Sequence, residues 1–287
     1  MKIYNPKCLH EFLIQNDLQA KKKSSQNFLV DGNIIRKIVQ EAKANPGDLI
    51  IEIGPGPGAL TEALLEAGCQ VWAIEKDPKL ANLLKRFSTD ENKLKIFNED
   101  FLAFDLEKNL QKNLPPGQKA KVVANLPYHI TTPILTKLIP LYSELSDVVV
   151  MIQKEVAERC VASANCKDYS SLTIFLQFFS QIKYSFTVDR NCFLPKPSVQ
   201  SAVIHCSLTP PRTVPDQDFL FKLIRMSFNK RRKMLKTSLK DLFPSHLVQD
   251  ALRQQKLNPL VRPEELSLEQ FIQLSSDLLS IKPPQTS

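Results

Sequence analysis

The chain of 287 residues has room for one large or two modest domains, and with 43% hydrophobic and 24% charged residues it has the composition of a globular protein with a sizeable core. It has no apolar run long enough to span a bilayer, it carries Glu11 and Asp17 where a signal peptide is apolar, and its six cysteines form no CxxC and no Cys/His pair at zinc-ligand spacing. These features argue against membrane-spanning, disulfide-framework and zinc-site classes and predict a cytoplasmic chain with reduced thiols and no metal, while the net charge of +8 favours a polyanionic partner such as nucleic acid.

Taken in order, Leu9, Phe12 and Leu13 predict a short helix, broken by the Lys21-Lys22-Lys23 run and Ser24-Ser25. After Gln26-Asn27-Phe28-Leu29, a second helix is marked by Ile34, Ile35, Ile38 and Val39, and Asn45-Pro46-Gly47-Asp48 is a turn. Leu49-Ile50-Ile51-Glu52-Ile53 is then a buried strand running into Gly54-Pro55-Gly56-Pro57-Gly58 and a helix from Ala59 that Gly68 is placed to cap. Val71 to Ile74 is a second strand ending at Glu75, twenty-one positions after Gly54. Helix Leu80 to Phe87 and strand Lys93 to Phe97, which ends in Glu99-Asp100, continue the alternation that a parallel sheet requires.

A fourth strand, Lys121 to Ala124, runs into Asn125-Leu126-Pro127-Tyr128, and a fifth is Val148 to Ile152. Helices are predicted around Ile134 to Leu138, from Glu155 to Ala162 and from Leu172 to Phe179. Lys183 to Val188 and Ser201 to Leu208 read as an antiparallel edge ribbon, completing a seven-stranded open α/β sheet. The expected division is a catalytic domain over 1–208 with a cofactor-covering segment at 1–30, a proline-rich linker at 209–215, a small all-α domain at 216–282 and a tail at 283–287. In the all-α part, Phe221, Ile224, Phe228, Leu235, Leu239 and Leu242 form an apolar stripe, Lys222 and Arg225 lie on another face, and Ser267 with Gln270 spells a capping box.

A turn that only reverses the chain needs one glycine, so three glycines and two prolines within five residues point to a nucleotide-type cofactor. Two cofactors compete. The spacing Gly54-x-Gly56-x-x-Ala59 with Glu75 satisfies the dinucleotide fingerprint of a dehydrogenase. S-adenosylmethionine suits the same turn, with Glu52 facing its amine, the backbone of Gly54, Gly56 and Gly58 approaching its sugar and methionine portions, Glu75 holding the ribose and Asp100 the adenine amine. It has no pyrophosphate to neutralise, which fits a turn followed by Glu62 and Glu66.

Asn125-Leu126-Pro127-Tyr128 decides between them. An exocyclic adenine amine is a poor nucleophile because its lone pair is conjugated into the ring. Two acceptors, the Asn125 side-chain carbonyl and the Leu126 backbone carbonyl, favour a more tetrahedral nitrogen whose lone pair points at a methyl group. Tyr128 offers a face for the base, and Phe193 a second face. A dehydrogenase has no use for such a group. His129 adjoins the site but has no Ser, Cys or carboxylate partner for nucleophilic catalysis.

With these residues in view, the chain resembles the small-subunit ribosomal RNA adenine dimethyltransferases, class I (Rossmann-like) S-adenosylmethionine-dependent enzymes. The resemblance is carried by Gln26-Asn27-Phe28-Leu29, Glu52 to Gly58, Glu75, Asp100, Asn125 to Tyr128, Gln153-Lys154-Glu155-Val156-Ala157 and Phe193 to Ser201. It implies dimethylation of two adjacent adenosines near the 3′ end of small-subunit rRNA, by a monomer acting on the rRNA or the 30S precursor. It implies that Gln26, Asn27 and Leu29 close over the cofactor, that Gly54, Glu75, Asp100 and Asn125 line its site, that Asn125, Leu126, Tyr128 and Phe193 hold the adenine, and that the helical domain, including Lys222, Arg225, Lys230, Arg231, Arg232 and Lys233, grips RNA. Ser25 and Ser170 stand where the family usually has glycine. The rivals are a large-subunit rRNA adenine methyltransferase of the antibiotic-resistance type and a non-catalytic ribosome-assembly factor on the same fold.

Overall fold

The computed structural model describes residues 3–4, 6–18, 27–230 and 232–281. The Lys21-Lys22-Lys23 run, Gln26, Arg231 and the tail 283–287 lie outside the described residues.

The elements before the linker are α1 (Pro6–Gln15), β1 (Phe28–Leu29), α2 (Gly32–Glu41), β2 (Leu49–Ile53), α3 (Ala59–Glu66), β3 (Gln70–Ile74), α4 (Pro78–Leu84), β4 (Leu94–Phe97), α5 (Leu106–Asn113), β5 (Ala120–Asn125), α6 (Thr131–Leu138), β6 (Leu145–Gln153), α7 (Lys154–Val161), α8 (Ser171–Phe179), β7 (Ser180–Val188), β8 (Phe193–Leu194) and β9 (Ser201–Leu208). After it come α9 (Gln217–Phe228), α10 (Leu235–Ser238), α11 (Ser245–Gln254) and α12 (Leu268–Ser280). No helix is long and apolar enough to cross a membrane among the described residues.

Seven strands form one sheet in the order β4-β3-β2-β5-β6-β9-β7, with β4 to β6 parallel and β9 and β7 antiparallel. This is the predicted open α/β sheet with its antiparallel edge ribbon. Its central strands have buried residues on both faces, which is why Leu49–Ile53 is apolar apart from Glu52 instead of alternating. The chain leaves β2 toward β3 on one side and returns to β5 on the other, so the carboxyl ends of β2 and β5 flank a crevice at a topological switch point. In the antiparallel part of the sheet, His205 of β9 bonds Glu41 of α2 at 3.1 Å and Asp147 of β6 at 2.8 Å.

A second, two-stranded sheet pairs β1 with β8, Phe28 opposite Leu194 and Leu29 opposite Phe193. Helix α5 was not predicted either, since LEKNLQKN buries only Leu106 and Leu110.

The described residues fall into two compact units, one within Met1–Ala157 and Ser180–Pro210, the other within Glu158–Phe179 and Pro211–Ser287. This departs from the linear boundary at residue 208. The second half of α7 and all of α8 belong with the helices beyond the linker, because the Phe175, Phe178 and Phe179 rings pack on Phe221 of α9 with centroids 5.1, 5.1 and 5.9 Å away. Within this second unit the expected stripe is interrupted: α9 ends at Phe228, and Leu235 opens a separate helix. The capping box at α12 is present, with Gln270 N–H donating to Ser267 Oγ and Ser267 N–H to Gln270 Oε1.

Candidate active site

The turn after β2 owes its shape to backbone conformations that favour glycine. Gly54, Gly56 and Gly58 have φ of +62°, +58° and +88°, where an L side chain costs about 1–2 kcal/mol. A Cβ on Gly56 would come within 3.1 Å of the Phe28 ring, and one on Gly58 within 2.4 Å of Phe87 and 2.8 Å of Leu84. The three glycines therefore serve two different ends. Gly54 and Gly56 line a cavity of about 560 Å³, whereas Gly58, expected to contact a cofactor, does not line it and instead packs the start of α3 against Leu84 and Phe87.

The other walls come from the ends of successive strands, as the switch point requires. Glu52, Glu75, Asp100, Asn125, Leu126 and Tyr128 all line this cavity, with Asn27 and Leu29 added from the N-terminal segment. Glu52 is 1% exposed, and its Oε2 accepts the Thr61 hydroxyl at 2.6 Å. Burial pushes its carboxyl up to about 8, the nearby Glu75 charge adding to the rise and the Thr61 bond opposing it. Such a group is a neutral acid at pH 7, ready to ionise for a cation placed beside it. Glu75 is held by backbone donors, Gly56 N–H at 3.0 Å on Oε2 and Asp77 N–H at 2.9 Å on Oε1. Each oxygen keeps acceptor capacity for one hydroxyl of a vicinal pair. Asp100 accepts from Lys76 Nζ at 2.8 Å and from Leu102 N–H at 3.0 Å, bonds that hold its carboxyl below the usual range.

Asn125 ends β5, and its Nδ2 donates to the Asn27 backbone carbonyl at 3.2 Å. A carbonyl only accepts, so the nitrogen end of the amide faces Asn27 O and Oδ1 is its acceptor end. Leu126 N–H donates to Met151 O at 3.0 Å, anchoring the next peptide to the neighbouring strand. Pro127 (φ −60°) leads into a short turn over Tyr128–Ile130, where the half-buried Tyr128 hydroxyl lies 2.6 Å from Ser201 Oγ. Burial pushes the Tyr128 phenol up, so it is neutral at pH 7. His129 lines the cavity as expected.

Phe193 does not. It is 3% exposed, belongs to the core cluster that holds Leu29, Val188 and Val203, and is absent from the cavity walls. Pairing of β8 with β1 turns its ring into the core, where it supports the Asn27 to Leu29 segment and offers no face to a ligand in this structure. The basic residues Lys222, Arg225, Lys230, Arg232 and Lys233 are exposed on the second unit, Lys230 lying 3.8 Å from Asp241.

Several wall residues were not singled out from the sequence: Ile3, Leu9, Phe28, Lys76, Phe101 and Leu102. Phe28 sits inside a motif that was recognised, and Lys76 follows directly on Glu75, so adjacency was the available signal. Among the described residues no group of three or more His, Cys, Asp or Glu could hold a metal ion.

An open, mostly parallel sheet with a glycine turn at its switch point, acids after β3 and β4, and Asn-Leu-Pro-Tyr after β5 defines a class I, Rossmann-like methyltransferase. The model of the ribosomal RNA adenine dimethylase family matches residues 17–279, and the chain belongs to that family. It is 51% identical to ribosomal RNA small subunit methyltransferase A of Protochlamydia amoebophila, covering 98% of this chain and 99% of that one, and 46% identical to the protein of the same name from Chlamydia caviae, covering 94% and 96%. Among solved structures, a dimethyladenosine transferase from Plasmodium falciparum superposes with a TM-score of 0.70 at 26% identity, over 86% of this chain and 95% of that one. The 23S rRNA methyltransferase ErmE superposes at 0.66 and 25% identity, over 88% and 99%.

Proposed function

We propose that this chain transfers methyl groups from S-adenosylmethionine to the exocyclic amines of two adjacent adenosines near the 3′ end of small-subunit rRNA. The observation that carries this reading is the Asn125 amide, whose donor end is engaged by Asn27 O and whose acceptor end takes no hydrogen bond from the described residues, as a seat for an N–H of the substrate requires. The choice of the small subunit is supported by the names of relatives up to 51% identical, against 25% for the 23S enzyme of similar fold.

The residues present fit the cofactor. Glu75 has acceptor capacity for the ribose hydroxyls, Asp100 is a carboxylate for the adenine amine, and Glu52 is a buried acid for the methionine ammonium. The absence of a Cβ at Gly56 keeps space open beside Phe28. A volume of about 560 Å³ lies in the usual range for such ligands. When bound, S-adenosylmethionine supplies an electrophilic methyl group on a sulfonium.

The chain's own part is to present the nucleophile. Asn125 Oδ1 and the Leu126 carbonyl accept the two amine hydrogens and draw the nitrogen toward a tetrahedral shape, and Tyr128 stacks on the extruded base, a contact worth roughly 1–3 kcal/mol. Neutral Tyr128 takes no proton. The product ammonium is acidic enough to lose its proton to water. The exposed Lys222, Arg225, Lys230, Arg232 and Lys233, with Arg231, would contact RNA phosphates from the helical unit.

Incubating the protein with methyl-labelled cofactor and isolated ribosomal subunits tests the reading. Label is expected in small-subunit rRNA; label confined to the large subunit would favour the resistance-type rival, and none in either would favour a non-catalytic assembly factor.

A further inference from the structure

At one end of the cavity, Lys76 at the end of β3 faces Asp100 in the loop after β4, and both line the wall. Lys76 Nζ lies 2.8 Å from Asp100 Oδ2, while Oδ1 accepts Leu102 N–H at 3.0 Å. The supports of this pair are themselves tied down. Asn98 Nδ2 donates to the Glu75 and Lys76 carbonyls at 2.9 and 3.2 Å. On the other side, Lys137 of α6 places its ammonium on the carbonyls of Phe101, Leu102 and Phe104 at 3.0, 2.9 and 2.6 Å, satisfying its three donors and fixing the loop that carries Asp100.

The geometry points to Lys76 as a positioning residue for the purine of the cofactor: its ammonium fixes the Asp100 carboxylate against the cavity wall, where the carboxylate accepts the amine of a 6-aminopurine. This rests on the assignment of Asp100 to the adenine amine. The Lys76 side chain is 76% exposed, so the pair adds little to folding stability, and its effect falls on the orientation and charge of Asp100. The other ionisable groups lining the cavity are Glu52, Glu75, Asp77, Glu99, Tyr128 and His129. Lys76 is the cation that bonds the Asp100 carboxylate directly, while Lys137 spends its donors on backbone carbonyls and reaches Asp100 only through its charge.

Isothermal titration with S-adenosylhomocysteine tests this without turnover, using the wild type, Lys76→Met, which keeps the stem and removes the charge, Lys76→Arg and Asp100→Ala. Lys76→Met is expected to weaken binding about three-fold at pH 7 and to move the acid limb of binding to higher pH, and Lys76→Arg to restore both. Wild-type affinity with a wild-type acid limb in Lys76→Met would overturn the role of Lys76. If Asp100→Ala also binds undiminished, or the wild type does not bind, the adenine assignment fails as well; if Asp100→Ala weakens binding and Lys76→Met does not, only Lys76 is lost.

Discussion

Asn125 and Asn27, 98 positions apart in sequence, are joined by a 3.2 Å hydrogen bond from the Asn125 side-chain amide to the Asn27 backbone carbonyl. The N-terminal segment is held in turn by the pairing of Leu29 with Phe193. The group proposed to present the substrate amine thus depends on the two-residue strand Phe28–Leu29.

Replacing Asn125 with Ala removes the acceptor and its anchor together. Turnover should fall by about 10²–10³, the usual cost of one preorganised hydrogen-bonding group at a reacting centre. Affinity for S-adenosylhomocysteine should change only a few-fold, because Glu52, Glu75 and Asp100 remain. Rates from single-turnover methyl transfer, set beside calorimetric binding, separate the two effects; near-normal turnover would remove Asn125 from the mechanism.

Gly56 and Gly58 should fail differently when substituted. Gly58→Ala forces a side chain into φ +88° and against Phe87 and Leu84, and should cost about 1–3 kcal/mol in urea unfolding. Gly56→Ala also meets left-handed backbone, but its Cβ presses on Phe28 in the cavity wall. Its larger effect should be on cofactor affinity, read as the change in Kd relative to the change in unfolding free energy. Equal loss of binding in both variants would contradict this division.

The proposed seat of the methionine ammonium beside Glu52 predicts pH-dependent cofactor binding. With its carboxyl at about 8 in the free chain and the ordinary value near 4.5, the native state holds a proton between these limits that the unfolded chain has lost, so stability falls as pH rises across that window. An ammonium placed beside Glu52 favours the carboxylate, so binding at pH 7 should release close to one proton and at pH 9 almost none. Calorimetry in two buffers of different ionisation enthalpy counts that proton. Glu52→Gln should abolish the release, and release that persists in this variant would place its source elsewhere.

Neutralising Lys230, Arg232 and Lys233 together tests the RNA-facing role of the helical unit. If all three meet phosphates, the slope of log affinity against log salt should become shallower by about 2–3. An unchanged slope would return the cluster to ordinary solvated surface.

The residues that were legible in the sequence are those whose role is local. Leu49 to Gly58 announces a doubly buried strand and a left-handed turn by composition alone, and Asn125 to Tyr128 is a contiguous motif at a strand end. Phe193 was misread because its burial follows from pairing between two-residue strands 164 positions apart, which leaves no periodicity to detect. The unit boundary was misplaced for a related reason: α8 looks like part of the preceding α/β pattern until Phe221, more than forty residues on, is brought against its rings. Gly58 reads like its two neighbours in sequence, and only packing against Phe87 separates it from them.

Mass spectrometry of small-subunit rRNA tests the central claim most directly, in cells lacking this chain and in the same cells given the wild type or Asn125→Ala. N(6),N(6)-dimethyladenosine at two adjacent positions near the 3′ end should be missing without the chain, return with the wild type and stay missing with Asn125→Ala. Dimethyladenosine at these positions in cells that lack the chain, or its restoration by Asn125→Ala, would contradict the account.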